Sequence, residues 1–293
     1  MLTLDAETLN VIFQQPRIDG RFEGKLAETA RKLGQKRPLV LFAFAPKSAG
    51  TFFRTAAIIA TDGQLVRGVH ALGGRDGAPY LPTFLLYYLG GVCAGPMVTH
   101  IHMQAFAANR HFMDAFDLKP TIMVRNIPDM LASYIDMLDT DAGARLEGLN
   151  CLIPQNFLAM SAEDKADFVI DVLGPWYASY FATWLDYAKQ SPDRVCVLTY
   201  AEFCETPAAT LAKALAHAGI PRTHEQCQQA LNRVWQERGK FRFNQGQSGR
   251  GGSYFNAEQI SRIARMVSHY GQIAPWRDQL LAATPPESLR AAG

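Results

Sequence analysis

Lys47, Ser48 and Thr51 put one positive charge and two hydroxyl donors on a single short turn, Pro46-Lys47-Ser48-Ala49-Gly50-Thr51, with Phe52 directly after it. Small residues in such a turn let an anion approach the backbone, and the side chains add donors to the backbone N–H groups. A second candidate is Arg125, which ends the apolar run Thr121–Arg125. An arginine offers a planar, permanently charged fork that matches a phosphate. A third group is the histidine pair His100 and His102. Histidine is the natural general base near neutral pH, and residues two apart in a strand point to the same side. Taken by itself, the turn describes a site for an anion such as a phosphate.

The elements around them are of the kind that would hold them still. Leu39 to Phe44 is an apolar run between Pro38 and Pro46, which predicts a buried strand. Phe52 to Ala60 has helical spacing. Strand, small-residue turn and helix build an anion site, because the turn amides and the helix N-terminus point at one spot. The Walker pattern is absent here, since Lys47 precedes the only glycine of the turn and no Gly-Lys-Ser/Thr occurs. The same residues also describe an ordinary strand–turn–helix junction with an exposed lysine. Arg125 could equally form an internal ion pair with Asp129, and either histidine could be structural.

The rest of the chain reads as alternating strands and helices. Pro96–His102, Thr121–Arg125 and Arg194–Thr199 are further strand candidates. Helices are predicted near Gly24–Leu33, over Met103–Phe116, from about Asp129 to Leu138, and from Ser161 to about Gln190 with an interruption at Gly174-Pro175. Others cover Tyr200–Gly219, Thr223–Glu237, and Asn256 to about Tyr270. Residues 63 to 95 read as loops and short helical pieces, and Asp139–Ala159 as irregular. Trp176, Tyr180 and Trp184 share one helix face and read better as core than as a ligand platform. This alternation predicts one α/β domain with a mainly parallel central sheet flanked by helices. Its span is 38–281, with a lead-in over 1–37 and a disordered tail over 282–293. In such sheets ligands bind beyond the carboxyl ends of the strands, where the Lys47 turn, the histidines and Arg125 all fall.

Composition narrows the class. The 293 residues are 48% hydrophobic and 19% charged, which describes a globular chain with a sizeable core. A net charge of +2 gives no support to general nucleic-acid binding. The five cysteines, Cys93, Cys151, Cys196, Cys204 and Cys227, form no CxxC pair, so reduced thiols in a cytoplasmic protein are expected rather than disulfides or a metal site. The N-terminus carries acidic residues where a signal peptide would carry basic ones. The most apolar stretch, Phe84–Val98, is too short and too glycine-rich to span a membrane.

Three stretches resemble the sulfotransferase family, the enzymes that use 3′-phosphoadenosine 5′-phosphosulfate (PAPS). The turn Pro46–Thr51 has the length of the family's Pro-Lys-Ser-Gly-Thr-Thr turn, with Ala49 and Gly50 in place of Gly and Thr. Arg125, Asn126, Pro128, Asp129 and Ser133 match the family's arginine-to-serine segment, with Ile127 between Asn126 and Pro128. Ser248-Gly249-Arg250-Gly251-Gly252-Ser253-Tyr254 resembles a contracted form of its glycine-rich basic loop. Val98-Thr99-His100 is similar to the family's Lys-Thr-His without the lysine. Tyr200 fits the tyrosine of a Tyr-Glu-Asp segment, in which Ala201 and Glu202 stand in for the acids. The resemblance covers about residues 38 to 266 and is closest to cytosolic-type, bacterial-like members.

The resemblance implies a P-loop-like sulfotransferase fold and sulfuryl transfer from PAPS to a hydroxyl or amine of a small acceptor, leaving 3′-phosphoadenosine 5′-phosphate (PAP). It implies no metal. Lys47, Ser48, Ala49, Gly50, Thr51 and Phe52 would hold the 5′-phosphosulfate, with Lys47 stabilising the leaving phosphate. Arg125 and Ser133 would hold the 3′-phosphate. Arg250, Gly251 and Gly252 would close over it, with Arg242 competing for the role of Arg250. Tyr200 would contact adenine or simply fill the core. His100 would be the base, with His102 as the second candidate. An apolar or aromatic acceptor would suit the aromatic residues, which a core stripe explains as well. Oligomeric state is open. The competing classes are a P-loop-type small-molecule kinase and a catalytically inactive nucleotide-binding module.

Overall fold

Leu39, Val40, Leu41 and Phe42 are all buried and form strand β1 (Leu39–Phe42) at the centre of the molecule. Their alternation serves two cores. Leu39 and Leu41 belong to one hydrophobic cluster, whereas Val40, Phe42 and the following Phe44 belong to another on the opposite face. A strand covered on both sides must be apolar throughout, which explains the unbroken run. A computed structural model describes residues 38–66, 77, 79, 95–140, 151–237 and 249–282. The helix expected near Gly24–Leu33, Cys93, Arg242 and the tail from residue 283 lie outside the described residues, as does most of the 63–95 segment.

Among the described residues, five parallel strands form one sheet. After β1 come β2 (Gln64–Leu65), β3 (Met97–His100), β4 (Pro120–Val124) and β5 (Cys196–Thr199), in the spatial order β2-β3-β1-β4-β5. The chain runs to one side of β1 for β2 and β3, then to the other for β4 and β5. The carboxyl end of β1 is therefore the switch point at which such sheets open a crevice. The two-residue edge strand β2 is exposed on both residues. It lies in the segment read from sequence as loop, because a pair so short has no periodicity to betray it.

Helix α1 (Gly50–Thr61) follows β1 and packs on the second cluster with α7 (Pro207–His217) and α8 (His224–Gln236). The other face carries α3 (Ile127–Thr140), α5 (Gly174–Gln190) and α10 (Ala257–Ser268). Shorter helices among the described residues are α2 (Ala107–Ala115), α4 (Ala162–Phe168), α6 (Tyr200–Glu205), α9 (Gly251–Tyr254) and α11 (Arg277–Leu281). The molecule is thus a single α/β domain with helices on both faces of a parallel sheet.

Several boundaries differ from the sequence reading for identifiable reasons. Residues 103–106 stay extended before α2 because Trp184 Nε1 donates to the Met103 carbonyl at 2.8 Å and the Thr183 hydroxyl accepts from Ala105 N–H at 3.1 Å. Helix α3 begins at Ile127 because the Asn126 Oδ1 accepts the Asp129 N–H at 2.8 Å, an N-cap arrangement that tolerates Pro128 in the first turn. The helical run from Ser161 is broken by a π-helical turn at Val169–Leu173, and Pro175 sits harmlessly in the first turn of α5. The run from Tyr200 divides at Thr206, where Pro207 opens α7. Asn256 caps α10 as expected, in a reciprocal pair with Gln259.

Candidate functional site

The turn after β1 carries unusual backbone. Lys47 has φ 65° and Ala49 φ 62°, so two side-chain-bearing residues within three adopt the left-handed conformation. Each costs about 1–2 kcal/mol for an L-residue, and such outliers concentrate where a backbone must face a ligand. Ser48 is buried and its hydroxyl donates to the Ala45 carbonyl at 2.5 Å, which closes the turn internally. Ala49 is the N-cap of α1 and supplies no side-chain acceptor to the first-turn amides. A residue such as Asp there would have filled the anion position with its own carboxylate.

Gly50 is a glycine for a different reason. It is the first residue of α1, and a Cβ added to it would lie 2.3 Å from His100 Cε1 and 2.5 Å from His100 Nε2. The imidazole of His100 therefore rests directly on the N-terminus of α1. Register explains how it gets there: His100 is the last residue of β3 and pairs with Phe42 at the end of β1, next to the turn. Its ring is buried, edge-on to Phe44 at 6.1 Å and edge-on to the half-buried His102 at 4.8 Å. The two histidines do lie on one side of the chain, as their spacing predicted.

Arg125 follows β4 immediately, and the pairing of Val124 with Thr199 places it beside Tyr200. Its guanidinium stacks over the Tyr200 ring at 4.0 Å, and Nη1 donates to the Lys47 carbonyl at 2.6 Å. Nη2 lies 3.9 Å from Asp129 Oδ2, the outer edge of an ion pair. The ion pair with Asp129 weighed from sequence is thus present but loose. Tyr200 is buried, and burial pushes its phenol up to about 12 against the opposing pull of the Arg125 charge. One face of Tyr200 is thus given to Arg125. Ser133 is buried on α3, two turns along from Asn126.

The glycine-rich segment lies against the start of α3. Gly249 N–H and Gly251 N–H donate to the two oxygens of Asp129, each at 2.8 Å. Arg250 reaches along α3, where Nη2 donates to Asp136 Oδ2 at 2.7 Å and contacts the Tyr254 hydroxyl at 3.0 Å. Burial works against the Arg250 charge, but the hydrogen bond and charge of Asp136 outweigh it and raise its pKa. Gly252 is exposed. Phe52, placed by its position next to the turn, turns its side chain into the core, edge-on to Phe203 at 6.0 Å and to Trp235 at 6.2 Å.

Two site-building residues, Tyr180 and Trp184, were read from the sequence only as packing, and a third, Tyr177, was not singled out. Tyr177, Tyr180 and Trp184 recur at helical spacing on α5 and are fully buried. Their polar tips donate to the carbonyls of Pro46 (3.2 Å), Ala43 (2.5 Å) and Met103 (2.8 Å). These carbonyls flank Lys47 on one side and His100 on the other, so a single rigid helix fixes both segments. The signal was available: a buried Tyr or Trp must find a partner for its O–H or N–H.

Among the described residues, no group of three or more His, Cys, Asp or Glu is arranged to hold a metal, and no helix is long and apolar enough to cross a membrane. Cys151, Cys196, Cys204 and Cys227 carry free thiols.

No protein-family model matches the sequence, and no curated protein matches it either. The structure does have relatives. A mouse sulfotransferase, SULT7A1, solved in complex with PAP, superposes with a TM-score of 0.62 at 13% identity, over 87% of this chain and 91% of that one. The fold is that of the sulfotransferases, as the P-loop-like expectation had it.

Proposed function

We propose that this protein is a sulfotransferase that moves a sulfuryl group from PAPS to a hydroxyl or amine of a small-molecule acceptor. The observation that carries the reading is the convergence of Lys47, His100 and Arg125 at the switch point of the sheet. Arg125 bonds the Lys47 carbonyl, and His100 rests on Gly50 of the same turn. The mouse neighbour's complex with PAP supports the same choice of ligand.

The donor set suits a nucleotide carrying anions at both ends. At one end stand the Lys47 ammonium, the Thr51 hydroxyl and the N-terminus of α1; at the other stand Arg125, Ser133 and the Arg250-Gly251-Gly252 segment. When bound, PAPS supplies the sulfuryl group and a phosphate leaving group. Lys47 holds positive charge where negative charge develops on that phosphate. Ser48 keeps the turn closed through its bond to Ala45. His100 accepts the proton that the acceptor must lose, and His102, edge-on at 4.8 Å, is placed to orient its ring. Positioning and charge stabilisation dominate such transfers, as in phosphoryl transfer. The reading calls for no metal. Tyr200 supports Arg125 from below rather than offering a bare platform to adenine.

The test is calorimetric binding of PAP, ADP and ATP with Mg²⁺ to the wild type and to Arg125→Ala, followed by turnover of PAPS with Lys47→Ala and His100→Ala. Tight, metal-independent PAP binding that Arg125→Ala weakens by about tenfold or more is expected. Turnover should be lost in both other variants while the fold survives. Preference for ATP with Mg²⁺ would overturn the reading in favour of a kinase. Normal PAP binding with turnover indifferent to His100→Ala would leave a nucleotide-binding module.

A further inference from the structure

Asp129 is 1% exposed, yet it is not clamped to the arginine four residues before it. Its Oδ1 accepts the Gly251 N–H at 2.8 Å, and its Oδ2 accepts the Gly249 N–H at 2.8 Å and Asn126 Nδ2 at 2.9 Å. Arg125 Nη2 stands 3.9 Å from that same Oδ2. A carboxylate next to a guanidinium ordinarily closes a short bidentate pair. Here its acceptor capacity is spent on the backbone of a segment more than a hundred residues away in sequence.

Both glycines are demanded by this tie. Gly249 has φ +85°, a left-handed conformation that glycine adopts without strain. A Cβ on Gly251 would lie 2.4 Å from Pro128 Cβ and 2.9 Å from its carbonyl carbon, so only a glycine can come close enough for its N–H to reach Asp129. Asn126, Pro128, Asp129, Gly249 and Gly251 therefore form one unit, in which the buried carboxylate brings the Gly249–Gly251 backbone alongside Arg125.

We propose that Asp129 is a positioning residue for recognition of the 3′-phosphate: it latches the glycine-rich segment onto the start of α3, so that this backbone and Arg125 face the phosphate together. The proposal rests on the sulfotransferase reading. Asp129 itself would touch no ligand. Its negative charge is screened from the phosphate by the amides and the amide side chain that it orders. In Asp129→Asn, one oxygen becomes an N–H group facing a backbone N–H, and the latch opens while side-chain volume is kept.

Two readouts test this. Amide hydrogen exchange of the unliganded protein should quicken at 249–253 by about tenfold or more in Asp129→Asn, with the β1 and β4 amides unchanged. Affinity for PAP should fall by about tenfold, while affinity for adenosine 5′-phosphate, which lacks the 3′-phosphate, changes by less than about twofold. Gly251→Ala should reproduce both effects, and it replaces the first variant if Asp129→Asn does not fold. Unchanged exchange at 249–253, or equal weakening of both ligands, would overturn the proposal and leave Asp129 a general structural residue. A wild-type preference for PAP that survives Asp129→Asn would overturn it while sparing the sulfotransferase reading. A wild type that binds both nucleotides equally would overturn both.

Discussion

Arg125 Nη1 donates to the carbonyl of Lys47 at 2.6 Å, which ties the end of β4 to the turn after β1. The same guanidinium stacks on Tyr200, so three strand ends meet at one side chain. A lysine at this position keeps the charge but cannot stack as a plane and bond a carbonyl in one geometry. Arg125→Lys should lower stability by about 1–3 kcal/mol, read by denaturant unfolding, and weaken PAP binding by about tenfold or more. Retention of wild-type affinity would mean that charge alone suffices.

Gly50→Ala is predicted to be far more harmful to turnover than to folding. The added Cβ would fall 2.3 Å from the His100 ring, which must move aside. Overpacking of this kind costs about 1–3 kcal/mol of stability, whereas a misplaced base costs about a hundredfold in rate. A kcat close to wild type with normal PAP binding would remove His100 from the chemistry.

Tyr180→Phe should destabilise the protein by about 1–3 kcal/mol, because it strands the buried Ala43 carbonyl without its 2.5 Å partner. The same variant should reduce turnover, since Ala43 leads directly into the Lys47 turn. A thermal melt and a kcat measurement on one preparation separate the two effects. Loss of stability with full kcat would show that α5 is scaffold only.

Alkaline pH should destabilise the fold through its buried tyrosines. Burial raises the Tyr200 phenol to about 12, and it raises Tyr180 and Tyr187 in the same direction. In the unfolded chain a tyrosine ionises near its ordinary value of about 10. Between these values unfolding releases a proton, so the contribution is complete below about pH 10 and is lost as pH climbs towards about 12. Tyr200→Phe should make the stability curve shallower over that window by about 1.4 kcal/mol per pH unit. An unchanged slope would show that Tyr200 ionises normally in the folded protein.

Much of the site was legible from chain-local chemistry. An apolar run, a small-residue turn and a helix suggested an anion cradle, and Arg125 fell at a strand end, whereas Ser133 was singled out only by the family resemblance. The α/β class follows from the alternation of elements alone. What could not be read locally is every relationship that spans the fold. Gly50 looked like a displaced turn glycine, but its left-handed neighbour Ala49 bears the turn and Gly50 makes room for His100 from another strand. Arg250 was singled out by the resemblance alone, and only the folded chain shows that it also bonds Asp136 while its neighbours Gly249 and Gly251 bond Asp129. Tyr180 and Trp184 were recognisable as core, yet their hydrogen bonds to the β1 and β3 segments, and that of Tyr177, depend on which strands lie beneath α5. Residue type and spacing determine what a side chain can do over a few residues, because propensity, capping and charge act at that range. Partners distant in sequence are chosen by sheet order and helix packing, and those emerge only when the whole core closes.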